Sequence, residues 1–298
     1  MNKSRVVLGL LVIGLCLFTM ELSAQRTKIW EGFNDQKKTT DVFESKTEEL
    51  IKGSNLLTTE QAAKELKSAE GIKVNMPMIK RRVKALDASK LAKVIQPSFV
   101  SFATAFDCGN CHHTHLNIAS GYIISADGLI VTNHHVVQGF IDSEQGKSLA
   151  MVIQTHDGEV FAVQKIVSSF KDGDLVIVKI DTRGKKLMPL PLGNTANVGD
   201  DIFVMSNPAP MINYFSSGKV ARNHLAAISD TIKLPQTDIT ADYAAGSSGA
   251  PIVDRFGNLI STVSSTHSIY YDMKEQVDLQ MVVKQTMPVV LLKELIIM

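Results

Sequence analysis

Residues 121–137, GYIISADGLIVTNHHVV, carry the strongest structural signal in the chain. Apolar and β-branched residues run up to Asp127-Gly128 and resume at Leu129, which is the pattern of two strands joined by a tight turn. An Asp-Gly pair favours such a turn because glycine readily adopts the positive φ that a hairpin requires. The stretch therefore predicts a β-hairpin that ends at Thr132, directly before two histidines.

Short strand-like runs separated by turn residues continue from Phe99 towards the end of the chain. Many short strands with few helical stretches are typical of an all-β barrel or sandwich. The apolar stretch from Pro288 to Met298 predicts a closing helix. The other predicted strands cover 160–167, 175–180, 201–205, 219–221, 252–253, 258–263 and 280–283.

The chain before Pro97 has a different sequence pattern, with signals of helices rather than of strands. Thr58-Thr59-Glu60-Gln61 is typical of a capping box at the start of a helix, because the threonine hydroxyl and the glutamine amide can satisfy free N–H groups. Asp87 predicts the start of a second short helix, which Pro97 would end. Residues 26–57 are polar and weakly patterned, and we read no chemistry in residues 26–95.

The charge balance excludes some classes of protein. The chain has 298 residues, with 31 Lys plus Arg against 30 Asp plus Glu, so its formal net charge is +1. Nucleic-acid proteins usually carry a basic stripe, and disordered polyelectrolytes carry far more charge than 20% of their residues. Three cysteines are too few for a dense disulfide scaffold.

The first residues have the pattern of a secretory signal peptide. Lys3 and Arg5 precede an apolar run from Val6 to Met20, which is short for a membrane span, and Ala24 offers a small residue for cleavage. We expect residues 1–24 to be removed, although an uncleaved anchor is the alternative. The mature chain would then enter an oxidising compartment, either a periplasm or the extracellular space.

Three polar segments beside predicted strands together predict nucleophilic catalysis. They are 132–137, with two histidines, then 172–174, with two aspartates, and 246–251, which reads GSSGAP. A serine hydroxyl attacks a carbonyl only when an imidazole takes its proton, and a carboxylate fixes the tautomer of that imidazole. Glycines beside the serine allow backbone N–H groups to approach the developing oxyanion. Each segment alone is a weak signal, but their combination is specific.

These segments resemble the trypsin-like serine proteases, and most closely the HtrA-type (Deg protease) branch. Residues 120–137 resemble the hairpin of that branch, which ends in Thr-Asn-x-His-Val-Val. Residues 174–180 resemble its Asp-Leu-Ala-x-Leu-Lys-Ile strand, and residues 246–251 resemble its Gly-Asn-Ser-Gly-Gly-Pro turn. The resemblance extends from about Leu91 to about Glu294, and we expect no PDZ domain.

The resemblance assigns a role to individual positions. It implies that His135, rather than His134, is the general base, and that Asp174, rather than Asp172, orients it. Ser248 would be the nucleophile. The oxyanion hole would consist of the N–H groups of Gly246 and Ser248. Two positions depart from the family pattern, since Ser247 replaces an asparagine or aspartate and Ala250 replaces a glycine, but neither change removes a catalytic atom.

Two further residues are candidates for substrate binding. Asp242 lies six residues before Ser248, where trypsin-like enzymes place the floor of the S1 pocket, and a buried carboxylate there would favour Arg or Lys at P1. A solvated loop aspartate is the alternative interpretation, and it is favoured. Ser264 should follow the strand that lines the other wall of the pocket.

A cysteine–histidine cluster precedes the first hairpin, in residues 108–115, CGNCHHTH. Three interpretations compete. A disulfide between Cys108 and Cys111 is favoured in an oxidising compartment. Cys108 and Cys111 could instead hold a metal ion together with His115 or His113. Cys-x-x-Cys followed by His112 is also the attachment pattern of c-type haem.

The resemblance implies two six-stranded antiparallel β-barrels over residues 96–298, preceded by a short, partly helical extension over residues 25–95. The expected function is that of a periplasmic or secreted serine endopeptidase that works through an acyl-enzyme intermediate. We expect protein or peptide substrates, no nucleic acid, no stable membrane span after signal cleavage, and no cofactor. The alternatives are a c-type haem or metal-binding redox or sensor protein, and a catalytically inactive peptide-binding adaptor.

Overall fold

The hairpin predicted around Asp127-Gly128 is present in the computed structural model. Tyr122 pairs with Val131, and the N–H of Ile124 donates to the carbonyl of Leu129 at 2.9 Å. Gly128 closes the turn with a φ of +99°, a conformation that side chains disfavour. The turn therefore has the backbone geometry that its sequence predicts.

The structure describes residues 33–53, 56–111, 113–143 and 147–297, so the predicted signal peptide lies outside the described residues. Residues 33–39 belong to one unit, and the chain from residue 40 onward forms a second, compact unit. No helix in these ranges has the length and apolar character needed to cross a bilayer.

The helices are α1 Gln36–Gly53, α2 Thr59–Ser68, α3 Ala88–Ile95, α4 His134–Ile141 and α5 Val289–Lys293. The strands are β1 Val74–Asn75, β2 Phe99–Asp107, β3 Thr114–Ile123, β4 Leu129–Thr132, β5 Lys147–Thr155, β6 Val160–Phe170, β7 Leu175–Ile180, β8 Asp201–Ser206, β9 Tyr214–Ala227, β10 Lys233–Ile239, β11 Pro251–Asp254, β12 Leu259–Asp272, β13 Val277–Pro288 and β14 Ile296–Ile297.

Twelve of the strands form two closed antiparallel barrels, which confirms the predicted fold class. The first barrel has the order β2-β3-β4-β7-β6-β5, and β5 pairs with β2 to close it. The second has the order β10-β13-β12-β11-β8-β9, and β9 pairs with β10. Closure leaves no free sheet edge within either barrel.

A continuous apolar cluster joins the two barrels. Phe99 and Tyr122 of the first barrel are buried in it beside Val253 and Leu259 of the second. The Tyr122 hydroxyl lies 2.8 Å from the Thr262 hydroxyl, so the polar end of this buried ring has a partner in the other barrel. This shared core fixes the relative position of the barrels and hence of the loops between them.

The segment from residue 56 to residue 95 packs on the barrels. Thr58 and Gln61 form the predicted capping box at the start of α2. Further along, β1 pairs in parallel with β14, and the backbone of Arg82 exchanges hydrogen bonds with the Asn258 side chain. Residues 40–95 therefore belong to the same unit as the barrels.

Several elements differ from their predicted extents. The 18-residue helix α1 falls in a stretch that the sequence left without a prediction, since it buries only Phe43 and Thr47. The predicted strands at 219–221 and 280–283 are short parts of β9 and β13, whose outer portions are largely exposed. The closing helix is limited to Val289–Lys293 and is followed by β14.

Candidate active site

The three predicted catalytic side chains converge between the barrels. His135 is the second residue of α4 and follows β4, whereas Asp174 directly precedes β7 in the same barrel. Ser248 lies in the turn before β11 of the second barrel. His135 Nε2 lies 2.9 Å from Ser248 Oγ, and His135 Nδ1 lies 2.9 Å from Asp174 Oδ2. This arrangement allows a proton to pass from the serine to the imidazole while the carboxylate holds the ring.

Asp174 is fixed by several hydrogen bonds. Its Oδ1 accepts from the backbone N–H of His135 at 3.1 Å, and its Oδ2 accepts from the Ser264 hydroxyl at 2.6 Å. Its carbonyl accepts from the Asn133 amide at 2.8 Å. The residue has a φ of +48°, an uncommon backbone conformation for a residue other than glycine. These contacts restrict the position of the carboxylate beside the imidazole.

Ser264 therefore contributes to the site in a way that the sequence did not reveal. The sequence predicts that Ser264 follows the strand lining the substrate pocket. In the structure Ser264 lies within β12, and its hydroxyl donates to Asp174. The sequence offers Asp242 as a candidate for the floor of the S1 pocket. Its side chain is 83% exposed, and one carboxylate oxygen lies 3.9 Å from Lys284 Nζ, which matches the solvated-loop interpretation.

The neighbouring histidine has a different environment. His134 is buried, and its side chain makes none of the contacts that join His135 to Asp174 and Ser248. Burial lowers the pKa of His134, an effect that Lys171 and His135 reinforce and that Asp174 and Glu70 oppose. His134 is therefore a packing residue whose neutral form is favoured.

We expect the stability of the protein to fall as the pH drops below about 6.5, the ordinary pKa of histidine. Because the pKa of His134 is lowered in the folded state, the unfolded state binds a proton first, and folding stability is lost as the pH decreases further. The variant His134→Gln should show a shallower decrease of melting temperature between pH 7 and pH 5. Identical slopes for the two proteins would contradict this assignment.

The turn that carries Ser248 depends on two glycines. Gly246 has a φ of +90°, and a Cβ placed there would lie 2.3 Å from the carbonyl oxygen of Asn207. Gly249 has a φ of +83°, and its Cβ would lie 2.4 Å from the carbonyl oxygen of Ser120. Among the described residues, the N–H groups of Gly246 and Ser248 donate no hydrogen bond. Both donors are therefore free to bind an oxyanion, as the resemblance implies.

Hydrogen bonds from the first barrel fix this turn. Ser120 Oγ on β3 donates to the carbonyl of Gly246 at 3.0 Å, and it accepts from the backbone N–H of Asn207 at 3.0 Å. The carbonyl of Ala245 accepts from the N–H of Ala209 at 2.7 Å, which orients the peptide that bears the Gly246 N–H. Sequence reasoning missed Ser120 and Asn207 because their partners lie about a hundred residues away.

The two departures from the family pattern are accommodated in the core. Ser247 is fully buried, and its hydroxyl donates to Ser206 Oγ at 3.1 Å. Ala250 is fully buried among the apolar residues of the second barrel. Among the described residues, neither side chain forms a hydrogen bond with His135, Asp174 or Ser248.

The cysteine–histidine cluster lies on the loop between β2 and β3. Cys108 and Cys111 are free thiols with their Sγ atoms 3.3 Å apart, so the disulfide favoured from the sequence, which needs about 2.05 Å, is not formed. His115 Nε2 lies 3.0 Å from Cys111 Sγ. The pKa of Cys108 is lowered to about 7. The largest cause is a hydrogen bond from the backbone of Asn110, and the next largest is a hydrogen bond with the Cys111 thiol. His112, which the haem interpretation requires, lies outside the described residues.

Comparison with known proteins gives concordant matches. Residues 119–261 match the family model described as "Trypsin-like peptidase domain". The chain is similar to "Protease Do-like 5, chloroplastic" of Arabidopsis thaliana, at 33% identity over 49% of this chain and 47% of that protein. It is also similar to "Serine endoprotease DegS" of Haemophilus influenzae, at 30% identity over 50% of this chain and 42% of that protein. The chain thus spans less than half the length of these curated relatives.

A solved structure has a similar fold. The chain aligns with the structure titled "Crystal structure of Deg5" at a TM-score of 0.53 and 23% sequence identity. The alignment covers 69% of this chain and 90% of the other. At this identity the likeness concerns the fold, and it agrees with the two barrels described above.

Proposed function

Because this chain carries a trypsin-like peptidase domain related to the Deg and HtrA serine proteases, we propose that it is an endopeptidase that uses His135, Asp174 and Ser248. The observation that carries the proposal is the 2.9 Å approach of His135 Nε2 to Ser248 Oγ. The two residues are 113 positions apart in the chain, so their contact depends on the packing of both barrels. A serine and a histidine at this distance form an activated nucleophile.

The reaction would proceed in two stages. Ser248 Oγ attacks the carbonyl carbon of the scissile peptide bond as its proton passes to His135 Nε2, and the N–H groups of Gly246 and Ser248 bind the oxyanion. Collapse of this intermediate breaks the C–N bond, and His135 gives its proton to the leaving amine. Water then attacks the acyl-enzyme, with His135 as base, and releases the acid product and free Ser248.

Digestion of a peptide library by the purified full chain tests this function. We expect cleavage within the peptides, and we expect a sulfonyl fluoride that modifies activated serines to block it. Intact peptides after prolonged incubation with folded protein, or cleavage that the inhibitor leaves unchanged, would contradict the proposal.

The compartment is also part of the proposal. We infer a periplasmic or secreted protein, supported by the signal-peptide pattern of residues 1–24 and by relatives such as "Probable periplasmic serine endoprotease DegP-like" of Chlamydia trachomatis. That relative is 33% identical over 47% of this chain, and the alignment covers 27% of its own length. Fractionation of cells that express the full chain would test the inference, with a cytoplasmic enzyme as the control. Recovery of the protein with that control would contradict it.

We expect Asp242 to have little influence on the P1 residue. Its carboxylate is 83% exposed and lies beside Lys284, so water screens it from a bound side chain. The variant Asp242→Asn should change the preference for Arg or Lys over Leu at P1 by less than about threefold, as measured by kcat/KM on matched peptides. A loss of more than about tenfold for Arg and Lys would instead make Asp242 a specificity residue.

A further inference from the structure

Three potential metal ligands, two thiols and one imidazole, converge where the loop between β2 and β3 meets the start of β3. The sulfur atoms of Cys108 and Cys111 are 3.3 Å apart, and His115 Nε2 lies 3.0 Å from the sulfur of Cys111. All three ligand atoms lie within 4.8 Å of one another. We propose that Cys108, Cys111 and His115 form a binding site for a zinc ion, a site separate from the proposed catalytic residues.

The distances fit a shared ion. Around tetrahedral zinc, with Zn–S near 2.3 Å and Zn–N near 2.1 Å, two sulfurs are about 3.8 Å apart and a sulfur and a nitrogen are about 3.6 Å apart. The Cys108–Cys111 and Cys111–His115 separations need to widen by only about half an ångström to admit the ion.

The donor set selects the class of ion. Thiolate and imidazole donors suit zinc, whereas magnesium and calcium prefer oxygen ligands. Two thiolates together neutralise the charge of a divalent cation. Cys111 is exposed, which gives the ion a route from solvent. The fourth tetrahedral position is available to water or to another donor of the loop.

The same geometry disfavours c-type haem. In that attachment the two cysteines bond to vinyl groups on different pyrrole rings, which requires well-separated sulfurs. Here the sulfurs lie 3.3 Å apart, and the imidazole of His115 lies 3.0 Å from the sulfur of Cys111.

The position of the site suggests a structural role. The loop closes one end of the β2–β3 pair, where Phe106 pairs with His115 and their rings lie 5.6 Å apart. The preceding residue, Thr114, donates its N–H to Glu48 of α1 at 3.0 Å. An ion held by both sides of the loop would fix this end of β3, the strand that also carries Ser120.

Metal analysis of the purified full chain tests the site. Protein that is reduced, incubated with zinc and freed of unbound ion should retain about one zinc per chain. Replacing zinc with cobalt should produce the near-ultraviolet charge-transfer absorption of thiolate-bound cobalt. In Cys111→Ser, retained zinc should fall below about a tenth of an equivalent. The matched control His267→Ala, which removes an exposed histidine on β12, should retain the wild-type amount.

Three results would overturn the proposal. They are the absence of retained zinc in folded, reduced wild-type protein, equal zinc in wild type and Cys111→Ser, and a Soret band from covalently attached haem. Circular dichroism of the Cys111→Ser protein distinguishes loss of the ion from loss of the fold, and His115→Gln provides a second variant that leaves both thiols in place. Because the readout is metal content, failure here leaves the proposed hydrolytic function untouched.

Discussion

Replacing Ser248 with alanine is expected to lower kcat by about a millionfold while leaving the fold intact. The substitution removes the Oγ atom that lies 2.9 Å from His135 Nε2, and the described site offers no second hydroxyl at that distance. Ser247, the adjacent serine, is fully buried and bonded to Ser206, so it cannot substitute as the nucleophile. Release of peptide amines under saturating substrate measures the effect.

The matched control is Ser45→Ala, which removes an exposed hydroxyl on α1. We expect its kcat and melting temperature to equal those of the wild type. If Ser248→Ala retained more than about a hundredth of the wild-type kcat in folded, homogeneous protein, Ser248 would not be the nucleophile.

The second large effect is expected for Asp174→Asn, which should lower kcat by about 10⁴-fold. Asp174 accepts from the Nδ1 side of His135, from the His135 backbone and from Ser264. An asparagine amide that faces Nδ1 would donate to it and place the imidazole proton on Nε2. His135 would then be unable to accept the proton of Ser248.

The companion variant Ser264→Ala separates orientation from charge. It removes one hydrogen bond to the carboxylate but leaves the charge and the imidazole tautomer unchanged, so a decrease of about tenfold in kcat is expected. Equal losses in Asp174→Asn and Ser264→Ala would show that the tautomer is not the controlling factor. A kcat for Asp174→Asn within tenfold of the wild type would remove Asp174 from the proposed mechanism.

The segments proposed to be catalytic could be recognised because their signals are local. An Asp-Gly turn predicts the hairpin before His135, and the resemblance to the Deg proteases implies that Asp174, which directly precedes a buried strand, is the orienting aspartate. Gly246 and Gly249 could be recognised as glycines that a tight turn needs. In the structure each has a positive φ, and a Cβ at either position would contact a backbone oxygen. Short motifs of this kind carry their own conformational requirements, and they remain visible in a single sequence.

Other features arise only from tertiary packing. The hydroxyl of Ser120 reaches the Gly246 carbonyl across 126 residues, and no local pattern marks such a contact. The sequence indicated Ser264 as a candidate substrate-binding residue. Its hydrogen bond to Asp174 could not be predicted, because the two residues are 90 positions apart. For Cys108 and Cys111 the spacing fits a disulfide, a metal site and haem attachment, and only the position of His115 distinguishes among them.

The most direct test of the catalytic assignment is covalent labelling with a fluorophosphonate followed by peptide mapping. The serine oxygen displaces fluoride from phosphorus, so only a hydroxyl activated by a neighbouring base reacts rapidly. We predict a single adduct on Ser248 in the wild type and none in His135→Gln. A folded protein that stays unlabelled, or an adduct on a different serine, would contradict the account of how His135, Asp174 and Ser248 act together.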